Sequence, residues 1–472
     1  MFIIFIFTPQ TCFANAAEAI DVASTPSISL SAVNKNSQIK VNGENLDFDF
    51  IESDNFLHDT IPSGQVTASY EMENPTDEQL NIKMAFPFIG TLDDLKSTFI
   101  KEGDEGVSYS ADLSDATKRI QNGVSPEDYS QLDIDNILKN TDISDNYKLR
   151  CFSEDTQGTL YTLTVKPMFK SSKRRNYFGF YIPLYKGENI IFLDQYSFRG
   201  HGDGVFFVDG SDFNDTEFDL SFFITNTNSS ITIGEYDGDK FHNNQENYDC
   251  VIKTENMDFG SLLRSYYDNL KEGLGTSLPD DNMYNLYKQY IDTHVYSYDN
   301  YSYNISNLLQ APFLNNVIVL FYSIEFPPHS VKNVTVSYKT KGGDDETMTR
   351  TPVYTFTYLL NPARYWKDFK NLTITIKPPK KAPYIIDSSL PFIKTGNYYT
   401  AQSQTLPDKD LYFKLFIHSQ ISSRDNRTIF DDPEIGGLLY FLIGIAILIV
   451  IVIIAVIIRK IYGIKKGERS NL

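Results

Sequence analysis

Apolar and polar residues alternate through residues 64–88, with Val66, Ala68 and Tyr70 at one parity and then Leu80, Ile82, Met84 and Phe86. A period of two on either side of Asn74-Pro75-Thr76-Asp77 predicts two strands joined as a β-hairpin. Strand-like runs recur at 159–165, 177–182, 189–193, 218–225 and 230–233. The densest β-branched and aromatic runs are 317–326, 331–339, 353–360, 371–376 and 411–418, separated by Pro-Pro, Gly-Gly and Asn-Pro breaks. Short strands joined by turns predict a β-sandwich, and no βαβ alternation suggests a parallel sheet. The period lengthens to that of a helix at Phe259, Leu262, Leu263, Tyr266 and Leu270, with a stop at Gly273, and again at Met283, Leu286, Tyr287, Tyr290 and Ile291. A shorter helix is expected over 126–139, where acidic residues favour the first turn.

Residues 435–458 form a run of 24 residues without a charge. At 1.5 Å per residue, such a helix crosses a hydrocarbon core of about 30 Å. Asp431, Asp432 and Glu434 precede it and Arg459 and Lys460 follow. The positive-inside bias therefore predicts a cell-membrane protein with a single span, its N-terminal region outside and its C-terminal tail cytoplasmic. At the other end, Phe2 to Phe7 are apolar, Pro9 breaks the run, and Ala14-Asn15-Ala16 offers a cleavage site. We read 1–16 as a signal peptide without the usual basic start.

These signals divide the chain into a 1–16 signal peptide, a 17–90 β region, a 91–149 acidic and partly helical insertion, and a 150–256 β region. A Tyr-rich helical insertion at 257–310, a membrane-proximal β-sandwich at 311–434, the span 435–458 and a basic tail at 459–472 follow. The expected fold class is mainly β with α insertions, as extracytoplasmic sandwich-like domains plus one C-terminal transmembrane helix.

Charge sharpens this picture. The 42 basic and 61 acidic residues leave a net charge of −19, which argues against nucleic acid as a partner. Segment 91–149 holds 13 acidic and 6 basic residues. KSSKRRN at 170–176 is a basic island, either a solvated hairpin tip or a contact for anionic polymer or headgroups. Cys151 and Cys250, the two cysteines of the external region, either form one disulfide or stay as small buried residues.

Familiar catalytic signatures are absent: there is no H-E-x-x-H, G-x-x-x-x-G-K-[ST], G-x-S-x-G or C-x-x-C. No cofactor is expected, with calcium the one ion the residues invite. Asp203, Asp209, Asp212 and Asp215 supply hard oxygens among turn-forming glycines, although the spacing is not that of an EF-hand and solvated hairpin loops are the favoured explanation. Tyr296, Tyr298, Tyr301 and Tyr303 either pack a helix onto a sheet or form a contact surface for sugar or protein. Trp366, the single tryptophan, is a core plug or a ligand-facing aromatic.

Tyr70 and Asn74 with Phe86-Pro87-Phe88, then FPPHSVKNVTVSY at 326–338 and YTFTYLLNPARYWKDFKNLTITI at 354–376, resemble a group of exported bacterial β-rich envelope proteins of unknown function. The resemblance implies an envelope location and a sandwich, and no activity. The functional expectation is a single-pass, membrane-anchored extracytoplasmic binding or assembly module of the cell envelope, whose partner is an envelope protein or a glycan. An extracellular polysaccharide-active enzyme and an accessory subunit of a membrane complex are the alternatives.

Overall fold

The computed structural model describes residues 26–28, 31–32, 37–50, 62–114, 134–139, 141, 146–168, 177–184, 187–194, 197–201, 204–209, 217–225, 230–236, 240–297, 302–305, 316–345, 348–427 and five isolated positions between 445 and 457. Within them the protein is mainly β, with its strands in four sheets. Sheet I runs Tyr384–Ser388, Leu411–Phe416, Val353–Leu359, Pro26–Ile28, Leu80–Gly90, Asn316–Phe326, Ser110–Leu113. Sheet II runs Ile393–Thr395, Tyr398–Thr405, Asp368–Lys377, Lys40–Asp49, Ser63–Glu73, Val331–Lys341, Phe99–Glu102, Glu105–Gly106. The two pack face to face through Phe48, Phe50, Phe356, Tyr358 and Phe413 towards one end and through Phe86, Phe88 and Tyr338 elsewhere. Alternation in each strand supplies one apolar face, and burying two such faces against each other makes the first sandwich.

Strands 63–73 and 80–90 are where the pattern placed them, but they do not form a hairpin. The first lies in sheet II beside 40–49 and 331–341, the second in sheet I beside 316–326. Alternation reports which face of a strand is buried, and is silent on whether the next strand continues the same sheet or crosses to the opposing one. Residues 327–330 make the matching crossover, since 316–326 is in sheet I and 331–341 in sheet II. Strands from both ends of the chain thus interleave in both sheets, so the strands between 316 and 416 complete a sandwich begun at 26–106 rather than making one alone.

Segment 91–149 is likewise less separate than its charge suggests. Phe99–Glu102 extends sheet II, Ser110–Leu113 extends sheet I, and the helix Ile134–Lys139 lays Ile137 over Ala85, Ile89, Val317 and Val319 on the outer face of sheet I. That cover explains why Met84 to Gly90 is buried without alternation.

Sheet III runs Tyr248–Asp258, Gln157–Pro167, Phe218–Ile224, Ile190–Phe192, Ser302–Asn304, Tyr296–Ser297, and sheet IV runs Ser197–His201, Val205–Asp209, Tyr177–Tyr181, Thr232–Tyr236, Phe241–His242. They enclose a second core in which Phe180 stacks on Phe222 and packs against Phe192 and Phe206. Gly158 lets strand 157–167 lie tight on its neighbour. A Cβ there would sit 2.3 Å from the Ile224 carbonyl oxygen and 2.4 Å from the Phe223 ring. Gly158→Ala is therefore expected to destabilise this sandwich by about 3 kcal/mol, measured as a lowered thermal midpoint, because backbone cannot move aside as a flexible side chain would.

Helices α1 (Phe259–Leu274) and α2 (Asp280–His294) form the expected helical pair, with Met283, Leu286, Tyr287, Tyr290 and Ile291 all buried. The stop of α1 is Gly275, at φ 53°, rather than Gly273, which is the last turn's ordinary helical residue. Phe259 packs on Phe223 from the outer face of sheet III, while the same continuous core includes Leu92, Leu95, Ala111 and Leu113 of the first sandwich. The pair is a wedge joining the two sandwiches.

Among the described residues no helix is long and apolar enough to cross a membrane. The predicted signal peptide at 1–16, the basic island at 170–176, the tail 459–472 and nearly all of 435–458 lie outside them. Within 435–458, Ile445, Ile451, Ile453, Ile454 and Ile457 are described, each helical and between 41% and 59% exposed.

Candidate functional site

Three arrangements of side chains or backbone could carry function. The first is a polar cluster on α2. Asp292 accepts hydrogen bonds from the Tyr147 hydroxyl at 2.8 Å, the Arg150 backbone N–H at 2.7 Å and the Cys151 backbone N–H at 2.8 Å. One turn earlier, buried Lys288 donates to the Tyr147 carbonyl and to Glu154. A thiol, an amine and two carboxylates side by side suggest nucleophilic chemistry. Burial, reinforced by the Asp292 carboxylate, pushes the Cys151 thiol far above its ordinary range, so it is protonated and unreactive at neutral pH. The cluster's work is to fasten 147–154 to α2. Both Cys151 and Cys250 are free thiols, which settles the open pairing.

The second is a carboxyl sealed between sheets I and II. Strand 40–49 has a register shift between Val41 and Gly43, opposite Asn371, which stands at φ 53° and donates to the Asn42 carbonyl. Val41 and Glu44 consequently both face inward, as a bulge re-aims one side chain. Glu44 is fully buried and accepts from the Tyr358 hydroxyl at 3.3 Å, and Tyr358 lies 3.2 Å from the Tyr70 hydroxyl. Glu44 Oε2 has no hydrogen-bond partner among the described residues. Burial outweighs the two hydroxyls and pushes the acid up to about 7. Closed off by both sheets, Glu44 cannot reach a substrate, and its effect is on stability. The alternating Glu44, Leu46, Phe48 and Phe50 were the sequence signal for it.

The third is an edge. Strand 248–258 borders sheet III and is 11 residues long, about 35 Å. Val251 is 54% exposed and Ile252 40%, and the residues from Val251 to Asn256 are exposed on both faces of the strand. The other sheet borders among the described residues are blunted. Those at 105–106, 241–242 and 296–297 have two residues and the one at 393–395 has three. The border at 384–388 is interrupted by a bulge, and 197–201 has five residues. Border 110–113 is capped by α2, where Asn282 bonds both backbone groups of Ala111 and Gln289 accepts from the Leu113 N–H while donating to Asp112. Long exposed edges invite pairing and are ordinarily suppressed in this way. Strand 248–258 escaped the sequence pattern because a strand exposed on both faces has no apolar alternation to detect.

Of the residues singled out from sequence, Asp203, Asp212, Asp215, Tyr298 and Tyr301 lie outside the described residues. Asp209 ends strand 205–209 and Tyr296 begins strand 296–297, but their side chains are not among those described. Tyr303 packs edge-on against Phe152, with centroids 4.7 Å apart, and Trp366 is buried in the first core. Both therefore serve packing. Among the described residues no three His, Cys, Asp or Glu side chains converge as a metal site.

No protein-family model matches the chain, and no curated protein matches it. Among solved structures, the chain is similar to a "putative nutrient binding protein" from Legionella pneumophila subsp. pneumophila str. Philadelphia 1, with 10% identity and a TM-score of 0.30 over 84% of this chain and 71% of that one.

Proposed function

We propose that this chain is a membrane-tethered extracytoplasmic binding or assembly module that engages its partner by strand addition at residues 248–258. The observation that carries the reading is that one border, 11 residues long, stands exposed while the others described are short, bulged or covered. Main-chain pairing along such an edge supplies affinity, and the flanking side chains supply selectivity. The uncharged 435–458 run, followed by Arg459 and Lys460, supports the reading of a tether with the module on its extracytoplasmic side.

The register with strand 157–167 makes the test specific. Asn247 accepts from Met168 N–H, and Phe259 N–H donates to Thr156, so backbone groups at odd positions face inward and those at even positions face the open edge. Thr254→Pro removes one outward N–H while sparing the ladder behind it, as proline at an edge permits. With a photo-crosslinking residue at position 252 in the native membrane, the parent chain is expected to yield a discrete adduct that the Thr254→Pro version loses by at least about fivefold. Absence of any adduct, or an adduct indifferent to the proline, rules strand addition out.

A further inference from the structure

The sequence of the open edge is complementary to itself. Two strands related by a two-fold axis pair antiparallel, with each residue opposite its mirror position about the central one. Centred on Thr254, the pairing sets Lys253 opposite Glu255 twice, Val251 opposite Met257 twice, Ile252 opposite Asn256 twice, and Thr254 opposite itself. Moving the centre to Ile252 sets Asp249 against Glu255, and moving it to Lys253 sets two lysines face to face. Centring on Asn256 sets Lys253 against Phe259 and leaves its charge unmatched.

Backbone direction admits this register, and the rival centred on Val251, which sets Asp249 opposite Lys253, is told apart by the exchange of charges at 253 and 255, which restores pairing only about Thr254. Even-numbered residues direct N–H and C=O outward, so Thr254 exchanges both hydrogen bonds with its own copy, and Ile252 does so with Asn256. The odd pairs then fall at the non-hydrogen-bonded sites, where Cα atoms come within about 4.5 Å and side chains meet most closely. Both Lys253–Glu255 pairs occupy those sites. Charges that would repel an arbitrary strand thereby become the element that admits this one.

We propose that the partner at strand 248–258 is a second copy of this chain, paired antiparallel about Thr254 so that sheet III continues across the dimer. This rests on the strand-addition reading and names its occupant. Strand edges pair weakly in dilute solution, and a shared membrane raises the effective concentration of one copy for another.

The test uses the full chain in its native membrane, under mild oxidation, with cysteine placed on the strand. Thr254→Cys is expected to give a disulfide-linked dimer, since opposed residues at about 5.5 Å lie within bridging range. Ile252→Cys faces Asn256 of the copy and is expected to give at least about tenfold less, and the parent chain controls for its native cysteines. Lys253→Glu is expected to weaken dimerisation roughly tenfold by making both ion pairs repulsive, and Lys253→Glu with Glu255→Lys is expected to restore it to within about twofold. That rescue separates a register effect from misfolding. Equal crosslinking at 252 and 254, or failure of the charge swap to rescue, overturns the proposal. A crosslink from position 252 to a different polypeptide overturns self-pairing while upholding strand addition. No adduct of either kind overturns both.

Discussion

Asn74→Ala is expected to lower the unfolding free energy by about 4 kcal/mol. Asn74 is fully buried where the two crossovers between sheets I and II run side by side. Its amide donates to the carbonyls of Glu78, Phe326 and Pro327 at 2.7–3.1 Å, and its side-chain oxygen accepts from the N–H and hydroxyl of Thr76. Its own backbone N–H donates to Ser330. One side chain thus joins residues 74–78 to residues 326–330, about 250 positions away in sequence. Alanine would leave the buried Phe326 carbonyl without this donor, at about 1–3 kcal/mol, and would lose the part-buried bonds to Glu78, Pro327 and Thr76, at about 0.5–1 kcal/mol each. Thr76→Ala, which removes only a peripheral hydroxyl, is expected to cost about 1 kcal/mol. Urea unfolding followed by fluorescence checks both, because buried Trp366 is the single tryptophan. A loss of less than 1 kcal/mol for Asn74→Ala would show that the crossovers hold without it.

The second large effect is a dependence of stability on pH. Glu44 is held at about 7 in the folded protein, against an ordinary 4.5. Between those values the folded chain keeps a proton that the unfolded chain releases, so stability falls as pH rises from about 4.5 through 7 and then levels off. The fall from this group amounts to about 3 kcal/mol. Glu44→Gln carries no such proton, so the difference in unfolding free energy between parent and variant should grow in the variant's favour over that window and flatten above about pH 8. Parallel curves for the two chains from pH 4 to 8 would show that Glu44 ionises freely.

These two residues also separate what is legible in the sequence from what is not. Asn74 stands in a turn-forming Asn-Pro-Thr-Asp run, and its local hydrogen bonds to Thr76 are those such a turn predicts. That the same amide also holds 326–327 depends on a crossover encoded far away. The FPPHS run at 326–330, part of the resemblance to exported envelope proteins, therefore has a mechanical role. Glu44 shares parity with Leu46 and Phe48, so its inward direction could be read, but the bulge that also turns Val41 inward required the partner strands.

The sequence by itself determined those strands that carry an apolar alternation or a dense β-branched and aromatic run, the pair of helices at 259–294, and the uncharged run at 435–458, because these are local periodicities and compositions that each segment carries alone. Tertiary structure decided that 63–73 and 80–90 belong to opposing sheets, that the first sandwich draws strands from both ends of the chain, and that α2 caps one border while 248–258 stays open. Those are choices of partner. Every strand offers the same backbone donors and acceptors, so pairing is set by which arrangement buries all the apolar faces at once, a property of the whole chain.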